Sequence, residues 1–189
     1  MASNEYHFIT TWRVRAALGE VNDLIGNAPD LARWWPSVYL QVKELQTGDA
    51  HGLGKVIDLY TTGWLPYTLR WQFRVTESRY PYGFTLEAWG DFVGRGIWTF
   101  EPDGENVNIT YDWNIRADKP LLRYFSFIMK PIFSANHHWA MQQGLTSLQL
   151  ELARRHASTA EERARIAPPP APTFRLKQAQ PSAATTGES

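Results

Sequence analysis

Two adjacent histidines, His137 and His138, are the side chains of this sequence best suited to proton transfer near neutral pH. The surrounding pattern predicts a helix, and neighbouring residues on a helix point about 100° apart. At most one of the two can therefore face a pocket squarely. We favour His138, although the helical projection does not decide between them. Adjacent histidines on a helix cannot share a metal ion, and the other three histidines show no ligand spacing. We therefore predict no metal site and no cofactor.

Aromatic side chains form a second group with a chemical use, which is binding. The chain has nine tryptophans, eight tyrosines and nine phenylalanines among its 189 residues. Indole N–H and phenol O–H groups in an interior need hydrogen-bond partners. A cavity that presents several such rings to a ligand meets that need while it stays mostly apolar. For any single ring, the alternative is ordinary packing in the core.

The helix that carries the histidines is predicted over residues 131–155. Pro131 can begin it, because the missing N–H of proline would have no partner in the first turn. Aliphatic residues then recur at spacings of four, three and four on one face: Met141, Leu145, Leu148 and Leu152. The C-terminal half, with these four residues, should pack solidly, whereas the N-terminal half, with the histidines, should border a cavity.

Seven stretches of alternating polar and apolar residues precede this helix and predict strands. They span residues 5–14, 38–45, 55–62, 67–75, 84–91, 94–101 and 107–116. Two short helices are predicted after the first strand, over residues 16–25 and 29–35. A further short apolar helix, over residues 120–130 and ended by Pro131, should lead into the long one. Because several connectors have hairpin length, neighbouring strands should be antiparallel, with one face covered by the long helix.

The other residues with chemical potential have structural explanations. Alternation assigns Arg95 and Asp112 to the outer face of the sheet, and Asn136 is predicted to bond a neighbouring backbone group. Three glycines between residues 90 and 96 indicate strong curvature of two strands. They lack the strand–loop–helix context of a nucleotide-binding loop. No serine lies in a nucleophile elbow, so a nucleophilic triad is not supported.

Composition excludes several classes of function. The net charge is zero and the isoelectric point is about 7.0, which argues against nucleic acid or an anionic membrane as a partner. The chain has no cysteine, so disulfides, thiolate nucleophiles and zinc–thiolate sites are excluded. Its most apolar run is too short to span a bilayer, and its first residues do not form a signal peptide. We therefore expect a soluble, cytoplasmic protein without stable membrane insertion.

The last thirty residues differ in composition from the rest. Four prolines between residues 168 and 172 are followed by a stretch rich in Gln, Ser, Ala and Thr. Such a segment has too little apolar surface to order itself. We therefore predict one ligand-binding domain over residues 1–157 and a disordered, proline-rich tail over residues 158–189. The alternative is a proline-rich ligand for an unknown protein partner.

Short motifs along the chain resemble the START-like (SRPBCC, helix-grip) superfamily, in its polyketide cyclase/dehydrase and lipid-transport branch. They are Trp34-Trp35-Pro36, residues 65–71, Gly90-Asp91 with Gly94, Gly96 and Trp98, Tyr111-Asp112-Trp113, and Asn136-His137 with Trp139 and Met141. The resemblance covers residues 6–155. It implies an α+β helix-grip fold, in which a curved antiparallel sheet of seven strands wraps a long C-terminal helix in the order β-αα-β6-α. It also implies an internal cavity that holds a hydrophobic small molecule.

The cavity should be lined by inward-facing rings and by aromatic residues of the short helices and loops. The predicted ligand-binding residues are Trp12, Trp35, Trp64, Tyr67, Trp71, Phe73, Trp98, Tyr111, Trp113 and His138. The favoured function is a carrier or binding protein for a lipid, a quinone or an aromatic polyketide-like molecule. The alternative is a polyketide cyclase or dehydratase in which His137, His138 or a tyrosine moves a proton. An interaction domain that uses the tail or residues 122–133 is a third possibility.

Overall fold

A computed structural model of the chain describes residues 5–117 and 126–174, and these residues form one seven-stranded antiparallel sheet with helices. The strands are β1 Glu5–Arg15, β2 Tyr39–Gln46, β3 Val56–Thr62, β4 Thr68–Ser78, β5 Gly83–Gly90, β6 Phe92–Asp103 and β7 Asn106–Ala117. Their order across the sheet is β1-β7-β6-β5-β4-β3-β2. All seven predicted strands are confirmed, with ends that differ by three residues or fewer.

The helices follow the predicted order. They are α1 Leu18–Gly26, a 3-10 turn Ala28–Asp30, α2 Leu31–Trp34, α3 Ser126–His156 and α4 Ala160–Arg165. The long C-terminal helix and the α+β helix-grip fold are confirmed. The prediction that one helix ends and the next begins at Pro131 is wrong, because α3 continues through this residue. Pro131 lies near the helix start, where only a single ladder hydrogen bond is lost. Residues 118–125, part of the predicted approach helix, lie outside the described residues.

The covered face of the sheet carries the side chains that alternation predicted. On β7 every second residue is buried: Val107, Ile109, Tyr111, Trp113 and Ile115. On β4 the same holds for Leu69, Trp71, Phe73 and Val75. Arg95 and Asp112 lie on the outer face, as predicted, where the Asp112 carboxylate is 2.8 Å from His7 Nε2. The period of two therefore decided correctly which side chains reach the interior.

Curvature of the sheet is concentrated near the glycines of β5 and β6. Gly90 has a φ of +111°, a conformation that side chains with a Cβ rarely adopt. A Cβ at this position would also lie 2.9 Å from the Arg70 carbonyl oxygen. The backbones of β4 and β5 therefore approach each other closely where the sheet bends.

The short helices are held to α3 by an ion pair and by a tryptophan. Arg33 donates two hydrogen bonds to the buried carboxylate of Glu151, at 3.0 and 2.8 Å. Burial by itself would raise the pKa of Glu151, but the hydrogen bonds and charge of Arg33 outweigh it, so this pKa is lowered. The Trp35 ring lies directly on the α3 backbone, since a Cβ on Gly144 would overlap it.

The chain after α3 contains one element that was not predicted. Helix α4 begins with a capping box, in which the Thr159 hydroxyl accepts from the Glu162 N–H and the Glu162 carboxylate accepts from the Thr159 N–H. The Thr-x-x-Glu spacing was the signal that could have revealed it. Arg154 of α3 donates to the Ala167 carbonyl, so this segment folds back on the end of α3. The division into a domain and a tail remains a prediction, and residues 175–189 lie outside the described residues. None of the described helices is long and apolar enough to cross a membrane.

Candidate functional site: two aromatic cavities

The larger interior space is a cavity of about 470 Å³ between the sheet and the first helices. Its apolar wall comes from β4 to β7 and from the α1–α2 region: Ile25, Ala28, Leu31, Trp35, Tyr39, Trp71, Phe73, Val75, Phe84, Leu86, Trp98 and Tyr111. Its polar residues come from the end of α1 and the β2–β3 loop, and include Asn22, Asp23, Asn27, Thr47, Asp49, His51 and Lys55. We call this space the large cavity.

Hydrogen bonds hold the polar rim of the large cavity together, one between the β2–β3 loop and α1 and two within the loop. Lys55 Nζ donates to the Gly26 carbonyl at 3.2 Å, across from the β2–β3 loop to the last residue of α1. The C-terminal carbonyl groups of a helix carry partial negative charge, so this contact with the Lys55 ammonium group is electrostatically favourable. Within the loop, Asp49 Oδ1 accepts from the N–H groups of Leu53 and His51 at 2.8 and 2.9 Å. These backbone hydrogen bonds hold the pKa of Asp49 below its usual range.

Stacked rings on β6 and β7 form the floor of the large cavity. The Trp98 and Tyr111 rings are paired across the two strands and stack with centroids 4.0 Å apart and planes at 13°. Tyr111 also stacks on Trp113, at 5.5 Å. Gly96 makes this arrangement possible, because a Cβ there would lie 2.8 Å from the Tyr111 hydroxyl oxygen and 2.9 Å from the Trp113 ring. The absent side chain lets the rings lie close to the sheet and leaves space above them.

A second space of about 100 Å³ lies under the N-terminal half of α3, and we call it the small cavity. It is lined by Phe8, Trp35, Val38, Tyr39, Thr61, Thr62, Trp71, Phe92, Tyr111, Trp113, Ile115, Phe133, Asn136, His137, Ala140 and Met141. Four rings border both cavities: Trp35, Tyr39, Trp71 and Tyr111. These four rings separate the two spaces.

His137 is the histidine that faces the interior. Its ring stacks on Phe8 with centroids 4.1 Å apart, and its Nε2 atom is buried without a hydrogen-bond partner among the described residues. Burial, and then the charge of His138, lowers the pKa of His137 to about 4. The ring is therefore neutral at neutral pH. His138 is exposed, so the preference for His138 over His137 as the pocket residue is wrong. The helical projection left the choice open, because it does not include the covering of one helix face by Phe8 of β1.

Two phenols also lie between the cavities, beside the indole rings of Trp35 and Trp71. Neither the Tyr39 nor the Tyr111 hydroxyl hydrogen-bonds another described residue. Burial raises the pKa of Tyr39, and burial together with the nearby Tyr39 raises the pKa of Tyr111. Both groups are therefore protonated and can donate as well as accept a hydrogen bond.

The structure divides the predicted ligand-binding residues into three sets. Lining residues are Trp35, Trp71 and Tyr111 at both cavities, Phe73 and Trp98 at the large one, and Trp113 at the small one. Trp12 and Tyr67 are packing residues, against Trp35 and Trp98 and against Phe133 respectively. Trp64 and His138 are exposed. The predicted aromatic residues of the strands therefore line the cavities more often than those outside the strands, and their contact with a ligand remains a prediction.

Three features of the site were missed. Tyr39 borders both cavities, but its strand was too irregular to assign a face, since the β2–β3 register shifts after this residue. The end of α1 and the β2–β3 loop line the large cavity, and the glycine-rich turn at 48–54 was the only local signal. The larger space was also expected against α3, yet no described residue of α3 lines it. The Trp35 ring, which lies against Gly144 of α3, occupies that space instead.

Some expectations concern contacts of single residues. The prediction that Asn136 bonds a neighbouring backbone group is confirmed, because its Oδ1 accepts from the Trp64 N–H at 2.9 Å. Over residues 5–117 and 126–174, no cluster of three or more histidine, aspartate or glutamate side chains could hold a metal ion.

Known proteins share this architecture. A protein of Thermus thermophilus superimposes with a TM-score of 0.62 at 13% identity, over 80% of this chain and 100% of the other. The Zhui aromatase/cyclase of Streptomyces sp. R1128 gives 0.61 at 18%, over 82% and 98%. The major latex-like protein 151 of Panax ginseng gives 0.52 at 10%, over 72% and 99%. None of the curated proteins matches the sequence.

The sequence match to a family covers most of this architecture. Residues 7–153 match the family described as polyketide cyclase / dehydrase and lipid transport. The matched region contains most of β1, all of β2 to β7, the short helices, both cavities and α3 up to residue 153. The chain therefore belongs to the polyketide cyclase/dehydrase and lipid transport family of the START-like (SRPBCC) superfamily.

Proposed function

We propose that this chain binds a hydrophobic small molecule in the large cavity and acts as a carrier or binding protein for it. The observation that supports this most directly is the cavity of about 470 Å³, with aromatic and aliphatic walls and a polar rim. This volume and composition are typical of small-molecule sites. The candidate ligands are a lipid, a quinone or an aromatic polyketide-like compound, all of which bury mainly apolar area.

The expected affinity follows from the buried area. A ligand that buries about 400 Å² of apolar surface gains about 10 kcal/mol at ~25 cal/mol per Å². Loss of translational and rotational freedom offsets at least about 4 kcal/mol of this. Dissociation constants in the micromolar to millimolar range are therefore expected, with stacking on Trp98 and Tyr111 favouring flat rings.

The titratable groups favour binding over proton transfer. Among the described interior residues, His137 has a pKa lowered to about 4, whereas burial raises the pKa of Tyr39 and of Tyr111. A general acid or base works best when its pKa lies near the working pH. None of these three groups meets that condition, so we favour the carrier over the enzyme.

A cyclase or dehydratase is the second candidate, and His137 supports it. Its buried Nε2 borders the same small cavity as Tyr39 and Tyr111, so a substrate carbonyl could meet an imidazole and two phenols. Two structural neighbours, the Zhui aromatase/cyclase and the di-domain StfQ of the steffimycin biosynthetic pathway, are named for this activity. Both share less than 20% identity with this chain, so the likeness supports the fold first.

The test uses native mass spectrometry of the freshly purified chain, followed by titration with fatty acids, quinones and polycyclic aromatics. Val75→Trp fills part of the large cavity and should weaken every ligand at least tenfold. Ile9→Trp adds the same ring to the outer face, where Ile9 is 64% exposed, and should leave the affinities unchanged. Failure of all compounds to bind the wild-type chain would contradict the proposal. Turnover of a bound polyketide-like compound, lost in His137→Phe, would favour the cyclase instead.

A further inference from the structure

The small cavity contains few polar atoms that are still free to bind. Trp71 Nε1 donates to the Thr61 hydroxyl at 3.1 Å, and the Thr62 hydroxyl donates to the Tyr67 carbonyl at 3.1 Å. Asn136 Oδ1 accepts from the Trp64 N–H. After these pairs are made, the side-chain groups without a partner among the described residues include His137 Nε2, Trp35 Nε1 and the hydroxyls of Tyr39 and Tyr111.

None of the described residues that line the small cavity is a lysine, arginine, aspartate or glutamate. A charged group that entered it would lose its water without gaining an opposite charge, which is strongly unfavourable. A neutral hydroxyl or carbonyl would instead find both donors and acceptors. The volume of about 100 Å³ suits a group of a few heavy atoms, since one water molecule occupies about 30 Å³ in the liquid.

The position of the small cavity links it to the larger space. Tyr39 and Tyr111 border both spaces, together with the rings of Trp35 and Trp71. A molecule in the large cavity therefore lies against the same rings that face His137. For a substituent at its inner end to reach the unpartnered nitrogen, it must pass between these four rings.

We infer that the ligand carries one uncharged polar head group, a hydroxyl or a carbonyl, which the small cavity binds through His137 Nε2 and the Tyr39 and Tyr111 hydroxyls. The hydrophobic body of the ligand occupies the large cavity. This inference rests on the proposed function, which it deepens by naming the ligand class. Hydrophobic carboxylates are excluded from this binding mode, although their bodies would fit the large cavity.

The protonation states agree with this assignment. The lowered pKa of His137 keeps its ring neutral at neutral pH, so it offers no positive charge to a carboxylate. The raised pKa values of Tyr39 and Tyr111 keep both phenols neutral. For an anionic head group, the only lysine or arginine among the described residues that line the two cavities is Lys55, at the rim of the large cavity.

The experiment compares four naphthalenes by equilibrium dialysis against the whole chain at pH 7.5: naphthalene, 2-naphthol, 2-acetylnaphthalene and 2-naphthoate. We expect 2-naphthol and 2-acetylnaphthalene to bind about tenfold more tightly than naphthalene, which corresponds to one or two net hydrogen bonds. The 2-naphthoate should bind at least tenfold more weakly than 2-naphthol.

His137→Phe keeps a ring beside Phe8 but removes the nitrogen. It should bring both neutral polar compounds to within about twofold of naphthalene and leave naphthalene itself unchanged, which also shows that the variant is folded. His7→Phe, a histidine replaced on the outer face, should preserve the wild-type order of affinities.

Three results would overturn the inference. If 2-naphthoate binds most tightly and Lys55→Met abolishes that preference, the head group lies at the rim, while the proposed function stands. If naphthalene binds but the polar compounds gain nothing, the small cavity does not select a head group, and again the proposed function stands. If none of the four binds, and the broader ligand panel also fails, the proposed function fails and the inference falls with it.

Discussion

The two halves of α3 differ in what they pack against. In the C-terminal half, Leu148 is fully buried and Leu152 is 4% exposed. The Glu151 carboxylate accepts two hydrogen bonds from Arg33. In the N-terminal half, His137 borders an open space. Met141, at the middle of the helix, borders the same space, so the prediction that it packs solidly with the leucines is wrong. Both halves belong to one continuous helix.

We infer from this difference that stability and the proposed ligand binding are separated along one element. The C-terminal half, which we call the solid half, contributes hydrophobic contacts and a partly buried ion pair, which hold the first helices against α3. The N-terminal half, which we call the open half, leaves polar atoms without hydrogen-bond partners. These atoms lower the stability of the fold, but the proposed ligand can bind to them. Changes in the two halves should therefore have different consequences, and the following four predictions test that separation.

The largest effect is expected from Leu148→Ala in the solid half. Removal of a fully buried leucine side chain leaves a cavity and should lower the free energy of unfolding by about 3–4 kcal/mol. Met141→Ala, at the edge of the small cavity, should cost about half as much, because the space beside it is already open. Urea denaturation measures both. Equal losses would show that the two halves are packed alike.

The junction between the halves is Gly144, and Gly144→Ala should affect both properties at once. The new methyl group would overlap the present position of the Trp35 ring. Overpacking should cost about 2–3 kcal/mol, more than the helix gains from replacing glycine by alanine. Because Trp35 borders both cavities, ligand affinity should fall as well. A stabilised variant with normal ligand affinity would contradict the close contact between the Trp35 ring and Gly144.

Glu151→Gln tests the ion pair of the solid half. We expect a loss of about 2 kcal/mol at pH 7, because Arg33 loses its charged partner but remains half exposed. The folded pKa of Glu151 lies below its unfolded value, so its contribution is present above the ordinary glutamate range and disappears as the pH falls through the folded value. The stability difference between variant and wild type should therefore shrink in acid. A difference that is the same at pH 7 and pH 3 would rule out an ionised Glu151.

The smallest effect is expected from the open half, as a pH dependence. The pKa of His137 is about 4 in the folded chain and 6.5 for the free side chain, so the unfolded chain binds more protons between these values. Wild-type stability should therefore fall by about 1–2 kcal/mol from pH 7 to pH 5, and His137→Phe should lose that component. The groups nearest to the ring are Phe8 of β1 and His138. His138→Gln serves as the control and should retain most of the pH dependence.

The fold was predictable because its signals are local. Alternation along residues 107–116 and 67–75 assigned four buried rings to the correct face, namely Tyr111, Trp113, Trp71 and Phe73. The hairpin-length connectors correctly predicted antiparallel neighbouring strands. The capping box that begins α4 was an equally local signal, although it was not recognised. The candidate site was predictable mainly where it lies on regular strands, and Trp35, which follows α2, is the exception. Tyr39 was missed, because the register of its strand shifts directly after it.

The sequence by itself determined which rings enter the interior, because the direction of a side chain in a strand follows from the pleat of its own backbone. Only the tertiary structure decided where space remains among those rings. An open volume depends on how residues far apart in the chain meet, as when Trp35 lies on Gly144 and Tyr111 lies over Gly96. The same holds for the choice between His137 and His138, since the covering of one helix face by Phe8 is a property of the folded chain and not of the helix.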